Sequence, residues 1–145
     1  MSNDHNPISL SADRALFEGQ IQGLVVTFYQ NERPPLGLCG LVDWHFHGAL
    51  SRCIQIGAIQ GEIGECIYFP FNRNNSVYHI ILAGAGHSPG PGERKAVPVE
   101  TFRSLQKNLV SLQIPKIGLS LSDFGQTQSD AFAKYLKGVP LWIAP

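Results

Sequence analysis

The run GLVVTFY at residues 23–29 constrains the fold of this chain more than any other feature of its sequence. A strand with one face in water alternates apolar and polar side chains, but this run is β-branched, aliphatic or aromatic almost throughout. Such a run predicts a strand that is buried on both faces. The sheet that contains it must then be covered on both sides, as in α/β proteins.

Further strands and helices alternate along the chain, separated by segments rich in glycine and proline. This alternation predicts one α/β domain that spans residues 1–145, a length at which about two-thirds of the unfolded surface becomes buried. A loop begins at residue 84 and runs into a helix that ends near residue 112. The other predicted elements are strands at residues 8–11, 23–29, 66–71, 77–83, 116–121 and 139–143, a turn at 72–75, and helices at 40–54 and 129–137.

Two of the predicted helices carry an apolar face at helical spacing. In the first, residues 40–54, we expect Trp44 to pack in the core as well. We also expect Asp43 to lie in the first turns, where the helix dipole favours a carboxylate. The two faces consist of Val42, Phe46, Ala49, Leu50 and Cys53 in the first helix, and of Phe102, Leu105, Leu109 and Leu112 in the second.

Charge and cysteine usage exclude several classes of protein. Eleven basic and eleven acidic residues are scattered along the chain, without the basic patch of a nucleic-acid-binding or peripheral membrane protein. The N-terminal residues do not resemble a signal peptide, and no apolar run approaches the roughly 20 residues of a membrane helix. The three cysteines form no CxxC motif, which favours reduced thiols. We therefore expect a cytoplasmic protein without nucleic-acid or membrane partners.

The segment ERPPLGLCGLVDWHFHGALSR, residues 32–52, resembles the N-terminal, non-peptidase domain of leucine (cytosol) aminopeptidases. The resemblance implies a stand-alone domain with a macro-like, three-layer α/β/α fold and a mostly parallel or mixed central sheet. The family usually has a basic residue after the tryptophan, where this chain has His45. The matching residues are Glu32-Arg33-Pro34, Gly37, Gly40, Leu41-Val42-Asp43-Trp44, Gly48 and Leu50-Ser51.

Catalytic and metal-binding signatures are missing from the sequence. The carboxylates and the Asn-Thr-Asp-Ala-Glu-Gly-Arg motif of the aminopeptidase catalytic domain have no counterpart, nor do GxSxG and HExxH. Asp43, His45 and His47 could suggest a metal site, but residues two apart do not share a face on a helix. We predict no catalytic residue, no metal site, no cofactor and no aminopeptidase activity.

The loop at residues 84–95, GAGHSPGPGERK, is the one segment with the chemistry of an anion site. It follows a strand and precedes a helix, where glycines let backbone amides approach an anion. Pro89 and Pro91 remove two of those amide donors, and the loop matches neither GxGxxG nor the P-loop pattern. The candidate anion-binding residues are Gly84, Gly86, Gly90, Gly92, Arg94 and Lys95.

Two functions follow from these observations. The leading one is a non-catalytic binding or interaction module that contacts a peptidase partner or forms a homo-oligomer. The alternative is a macro-like domain that binds or hydrolyses an ADP-ribose-type nucleotide at the 84–95 loop.

Overall fold

The computed structural model describes residues 11–126 and 129–145, and most of the predicted strand at residues 8–11 lies outside them. Five strands form one sheet in the order β2-β3-β1-β4-β5. The strands are β1 (Gly23–Phe28), β2 (Cys66–Arg73), β3 (Ser76–Gly84), β4 (Ile117–Ser120) and β5 (Leu141–Ala144). The helices are α1 (Ala12–Phe17), α2 (Gly37–His45), α3 (Ala49–Gln55), α4 (Val99–Leu112) and α5 (Asp130–Tyr135).

Strand β1 is the centre of the sheet and is parallel to both of its neighbours, β3 and β4. All six of its residues are buried. Successive side chains of a strand point to opposite faces, so Leu24 and Val26 enter the core on one side and Val25 enters the core on the other. The strand predicted from the GLVVTFY run is thereby confirmed.

Helices cover both faces of the sheet and produce three layers, α/β/α. Residues of α1, α2 and α3 pack on one face, whereas residues of α4 and α5 pack on the other. Strand β2 is antiparallel to β3, and the remaining pairs are parallel, so the sheet is mixed. The predicted fold class is confirmed.

The helix predicted at residues 40–54 is wrong as a single element, because the chain breaks between α2 and α3. His47 and Gly48 have φ angles of 57° and 79°, which no α-helix accommodates. Asp43 stabilises the break, since its Oδ1 accepts hydrogen bonds from the amides of Leu50 (2.8 Å) and Ser51 (3.0 Å). Asp43 therefore lies near the end of α2 and caps α3, instead of lying in the first turns of one long helix.

The predicted packing of Trp44 is also wrong, because 75% of its surface is exposed. Helix α2 buries the side that carries Cys39, Val42 and Asp43. Trp44 lies on the other side, where Leu41 is 50% exposed. The helix thus presents an apolar strip to solvent.

The predicted turn between β2 and β3 is confirmed and reduces to two residues. Asn74 and Asn75 both have positive φ angles, as a tight two-residue hairpin requires. Within the two described ranges, no helix combines the length and the apolar character needed to cross a membrane.

Candidate functional site

A cleft of about 760 Å³ lies beyond the carboxyl ends of β4 and β5, beside the segment that leads from β1 to α2. The chain runs from β1 to β2 and β3 on one side of the sheet and then to β4 and β5 on the other. In open α/β sheets, ligands bind where the strand order reverses in this way. The cleft is lined by Ser11, Ala12, Asp13, Gly37, Leu38, Leu41, Gly92, Arg94, Ser120, Ser122, Asp123, Ala144 and Pro145.

The N-terminus of α2 forms one wall of the cleft. Leu36 is the N-cap residue and makes no side-chain cap, so the first amides of the helix lack the capping bond that a polar residue would supply. Gly37 has a φ angle of 62°, and a Cβ there would come within 2.5 Å of Arg94 Nη2. Glycine is therefore required where α2 meets Arg94.

Arg94 is buried in a network of charged groups, with 9% of its side chain exposed. Its Nη1 donates to Glu32 Oε2 at 2.7 Å, and its Nη2 donates to the carbonyl oxygen of Leu36 at 2.9 Å. Its Nε lies 3.5 Å from Asp123 Oδ1, and its guanidinium lies 4.9 Å from the centre of the Tyr29 ring. Glu32 is itself 3% exposed. Arg94 thus belongs to a buried ion-pair cluster and is not a free surface cation.

Asp123 follows β4 and is held against the end of β1. Its Oδ2 accepts the Thr27 amide at 2.9 Å, and its Oδ1 accepts the Thr27 hydroxyl at 3.1 Å. Burial raises the pKa of Asp123 to about 6, although the Thr27 hydrogen bonds and the charge of Arg94 act in the opposite direction. A carboxyl group with a strongly perturbed pKa in a cleft marks a candidate functional site.

The candidate anion-binding residues are divided between several environments. Gly92 and Arg94 line the cleft, whereas Gly90 lines a smaller cavity of about 260 Å³. The amides of Gly84 and Gly86 donate to the carbonyl oxygens of Glu65 and Gly61, which leaves neither amide free for an anion. The Lys95 amide donates to Tyr29 Oη at 3.1 Å, and its side chain is exposed.

The sequence reasoning missed the segment after β4, which contributes Ser120, Ser122 and Asp123 to the cleft. Ser120 and Ser122 lie 3.0 Å apart through their hydroxyl oxygens. A signal was present in the sequence, because the polar run SLSD directly follows a buried strand. Loops at the carboxyl ends of strands are where ligand-binding side chains collect.

Neither a metal site nor a reactive thiol is evident at the cleft. Within the described parts of the chain, no group of three or more His, Cys, Asp or Glu side chains could hold a metal ion. Cys39 is buried, and burial raises the pKa of its thiol far above the ordinary value. Such a thiol is inert at neutral pH.

Comparison with solved structures shows a macrodomain fold. The macrodomain of Thermus aquaticus DarG matches with a TM-score of 0.61 and 18% identity, over 90% of this chain and 93% of that one. Thermosipho africanus DarTG in complex with ADP-ribose matches with a TM-score of 0.61 and 12% identity, over 89% of this chain and 39% of that one. A mutant of tomato leucine aminopeptidase matches with a TM-score of 0.50 and 16% identity, over 80% of this chain and 23% of that one.

No family model matches the sequence, and no curated protein matches it either. The macro-like fold predicted from residues 32–52 is confirmed by the solved structures. Membership of the leucine aminopeptidase family stays a prediction.

Proposed function

We propose that this chain is a non-catalytic binding module whose cleft takes a nucleotide of the ADP-ribose type. The observation that carries the proposal is a cleft of about 760 Å³, within the usual range for ligand pockets, at the point where the strand order of a macrodomain fold reverses. The T. africanus protein, which has this fold, was solved in complex with ADP-ribose.

The wall formed by α2 and the segment after β4 suits a diphosphate. Gly37 and Leu38 open α2 without a side-chain cap, and the N-terminus of a helix attracts anions through its free amides and its dipole. The hydroxyl groups of Ser120 and Ser122 lie beside them and donate to the carbonyl oxygen of Pro145, so they would rotate away from it to donate to a phosphate. These groups would bind phosphate oxygens without a free cation.

The remainder of the cleft suits a nucleoside. Leu38 and Leu41 offer apolar surface to a base, and Ala12 extends that surface from α1. Asp13 also lines the cleft, and a carboxylate accepts hydrogen bonds from ribose hydroxyls or from an exocyclic amine. A ligand with an anionic centre and polar, donor-bearing ends fits this distribution.

The side chains of the cleft support binding without catalysis. A general base needs an oxygen that can reach the substrate, yet Asp123 is only 4% exposed and both of its carboxylate oxygens face Thr27. The buried Cys39 thiol is not a nucleophile. We therefore expect ADP-ribose to be bound and released unchanged.

A second candidate function is a protein-interaction module, with a peptidase or a second copy of the chain as the partner. The exposed strip of Leu41 and Trp44 favours it, because aromatic residues are common binding hot spots. Trp44→Ala should then abolish the complex, which sedimentation velocity of the protein alone and with a leucine aminopeptidase would detect.

Isothermal titration calorimetry with ADP-ribose tests the nucleotide proposal. The expected result is a saturable heat with one ligand per chain. Leu41→Glu should weaken binding at least about tenfold, because it replaces apolar surface under the base by a carboxylate and adds negative charge to a cleft that takes an anionic ligand. Val110→Glu is the matched control, since Val110 is equally exposed on α4 and does not line the cleft. The absence of any heat at millimolar ADP-ribose would overturn the proposal.

A further inference from the structure

Arg94 joins three segments that border the cleft. Its two terminal nitrogens donate to Glu32 at 2.7 Å and to the carbonyl oxygen of Leu36 at 2.9 Å, so it holds the segment between β1 and α2. Its Nε lies 3.5 Å from Asp123 in the segment after β4. One planar guanidinium, with its donors fixed in a fork, makes all these contacts together.

The backbone beside Arg94 is packed as closely as its side chain. A Cβ on Gly125 would lie 2.2 Å from the carbonyl carbon of Lys95, so the segment after β4 touches the main chain there. The Lys95 amide also donates to Tyr29 Oη, at the end of β1. The backbone at Lys95 is thus in contact with both segments that form the walls of the cleft.

The charge of Arg94 is already matched within the protein. Glu32 Oε2 and Asp123 Oδ1 lie beside its guanidinium, and their side chains are 2% and 3% exposed. A phosphate at Arg94 would compete with these carboxylates, at the cost of leaving a buried charge unpaired. The donors that remain for an anion are the first amides of α2, which are uncharged. The neutral hydroxyls of Ser120 and Ser122 also lie there, but both donate to the carbonyl oxygen of Pro145 in the free protein.

We propose that Arg94 is a positioning residue, which fastens the walls of the cleft to each other while neutral groups hold the anionic part of the ligand. The statement that neutral groups hold the anionic part of the ligand rests on the proposed function. The fastening itself concerns the free protein and is tested without a ligand.

The test compares Arg94→Met and Arg94→Lys with the same two substitutions at Arg103, which is exposed on α4. A lysine keeps the positive charge, but its compact ammonium lacks the planar fork by which the guanidinium reaches these separated groups together. If Arg94 fastens the walls, hydrogen exchange in the free protein should show at least a tenfold loss of protection in residues 36–41 and 120–126 for both Arg94 variants. Protection in β2 and β3 should not change, and the Arg103 variants should behave as the wild type.

Calorimetry with ADP-ribose at 50 and 500 mM NaCl forms the second arm. Both Arg94 variants should bind at least tenfold more weakly than the wild type. The ratio of the affinity at 50 mM NaCl to the affinity at 500 mM NaCl should be the same for each variant as for the wild type. That ratio is the informative quantity, because removal of a direct phosphate contact would reduce the salt dependence. Should Arg94→Met fail to fold, Arg94→Lys alone carries both arms.

The outcomes separate the two claims. Wild-type affinity in Arg94→Lys, or a salt dependence that disappears in Arg94→Met, would identify a direct cationic contact and overturn the inference. Unchanged protection of both segments in the Arg94 variants would overturn it as well. If the wild type does not bind ADP-ribose, the proposed function fails, and hydrogen exchange alone decides whether Arg94 fastens the walls.

Discussion

Trp44 and Phe46 lie two residues apart at the end of α2, in opposite environments. Trp44 is 75% exposed, whereas Phe46 is 8% exposed and stacks on Phe71 with 4.2 Å between ring centres. Phe46→Ala should lower the free energy of unfolding by about 3–5 kcal/mol because it leaves a cavity. Trp44→Ala should change it by no more than about 0.5 kcal/mol. Urea denaturation measures both, and equal losses would contradict the burial described above.

Asp123 gives the stability of the protein a dependence on pH. Its pKa is raised from 3.8 to about 6, so between these values the folded chain binds a proton that the unfolded chain has released. The free energy of unfolding should therefore fall as pH rises through this window, by up to about 3 kcal/mol, and this contribution should be constant above it. Arg94 is the charged side chain in direct contact with Asp123.

Asp123→Asn removes the titrating carboxyl group. Comparison of this variant with the wild type therefore gives the contribution of Asp123 to the pH dependence of stability. Denaturation from pH 4 to pH 7 measures the free energy of unfolding of both proteins. As pH rises, that of the wild type should fall relative to that of the variant. Asp130→Asn, at an exposed position on α5, is the matched control for the change from a carboxyl to an amide. A constant difference for Asp123→Asn would show that the pKa is not raised.

At the scale of elements, Asp43 determines where α2 ends and α3 begins. It accepts the amides of Leu50 and Ser51, which have no partner inside α3. Asp43→Ala should therefore cost about 1–2 kcal/mol in denaturation experiments. Asp43→Asn retains one oxygen acceptor and should cost clearly less. Equal costs would mean that the charge, and not the capping hydrogen bonds, stabilises the break.

Elements with strong periodicity could be predicted from the sequence, and the break between α2 and α3 could not. Helix α4 shows a clear apolar stripe, and Phe102, Leu105 and Leu109 are buried as expected. The apolar spacing of residues 42–53 continues across the break, so periodicity alone indicates one helix. The local sign of an interruption was Gly48, which a helix tolerates at a cost of about 1 kcal/mol.

At the scale of the whole molecule, the cleft could not be predicted because its parts are distant in sequence. Arg94 lines the cleft and its ion-pair partner Glu32 is 62 residues away, so only the order of the strands brings the two together. The sequence showed a basic residue after a glycine-rich loop, which is typical of an anion site. The buried carboxylates that match its charge became visible only in the folded chain.

Chemical-shift mapping with ADP-ribose tests the central claim most directly. In amide spectra of the ¹⁵N-labelled protein, millimolar ADP-ribose should shift residues 37–41, 92–94 and 120–123 in a saturable manner. The hairpin turn at Asn74 and Asn75 contributes nothing to the cleft and serves as the internal reference. Spectra that do not change, or shifts confined to residues outside the cleft, would contradict the proposal that this cleft binds a nucleotide of the ADP-ribose type.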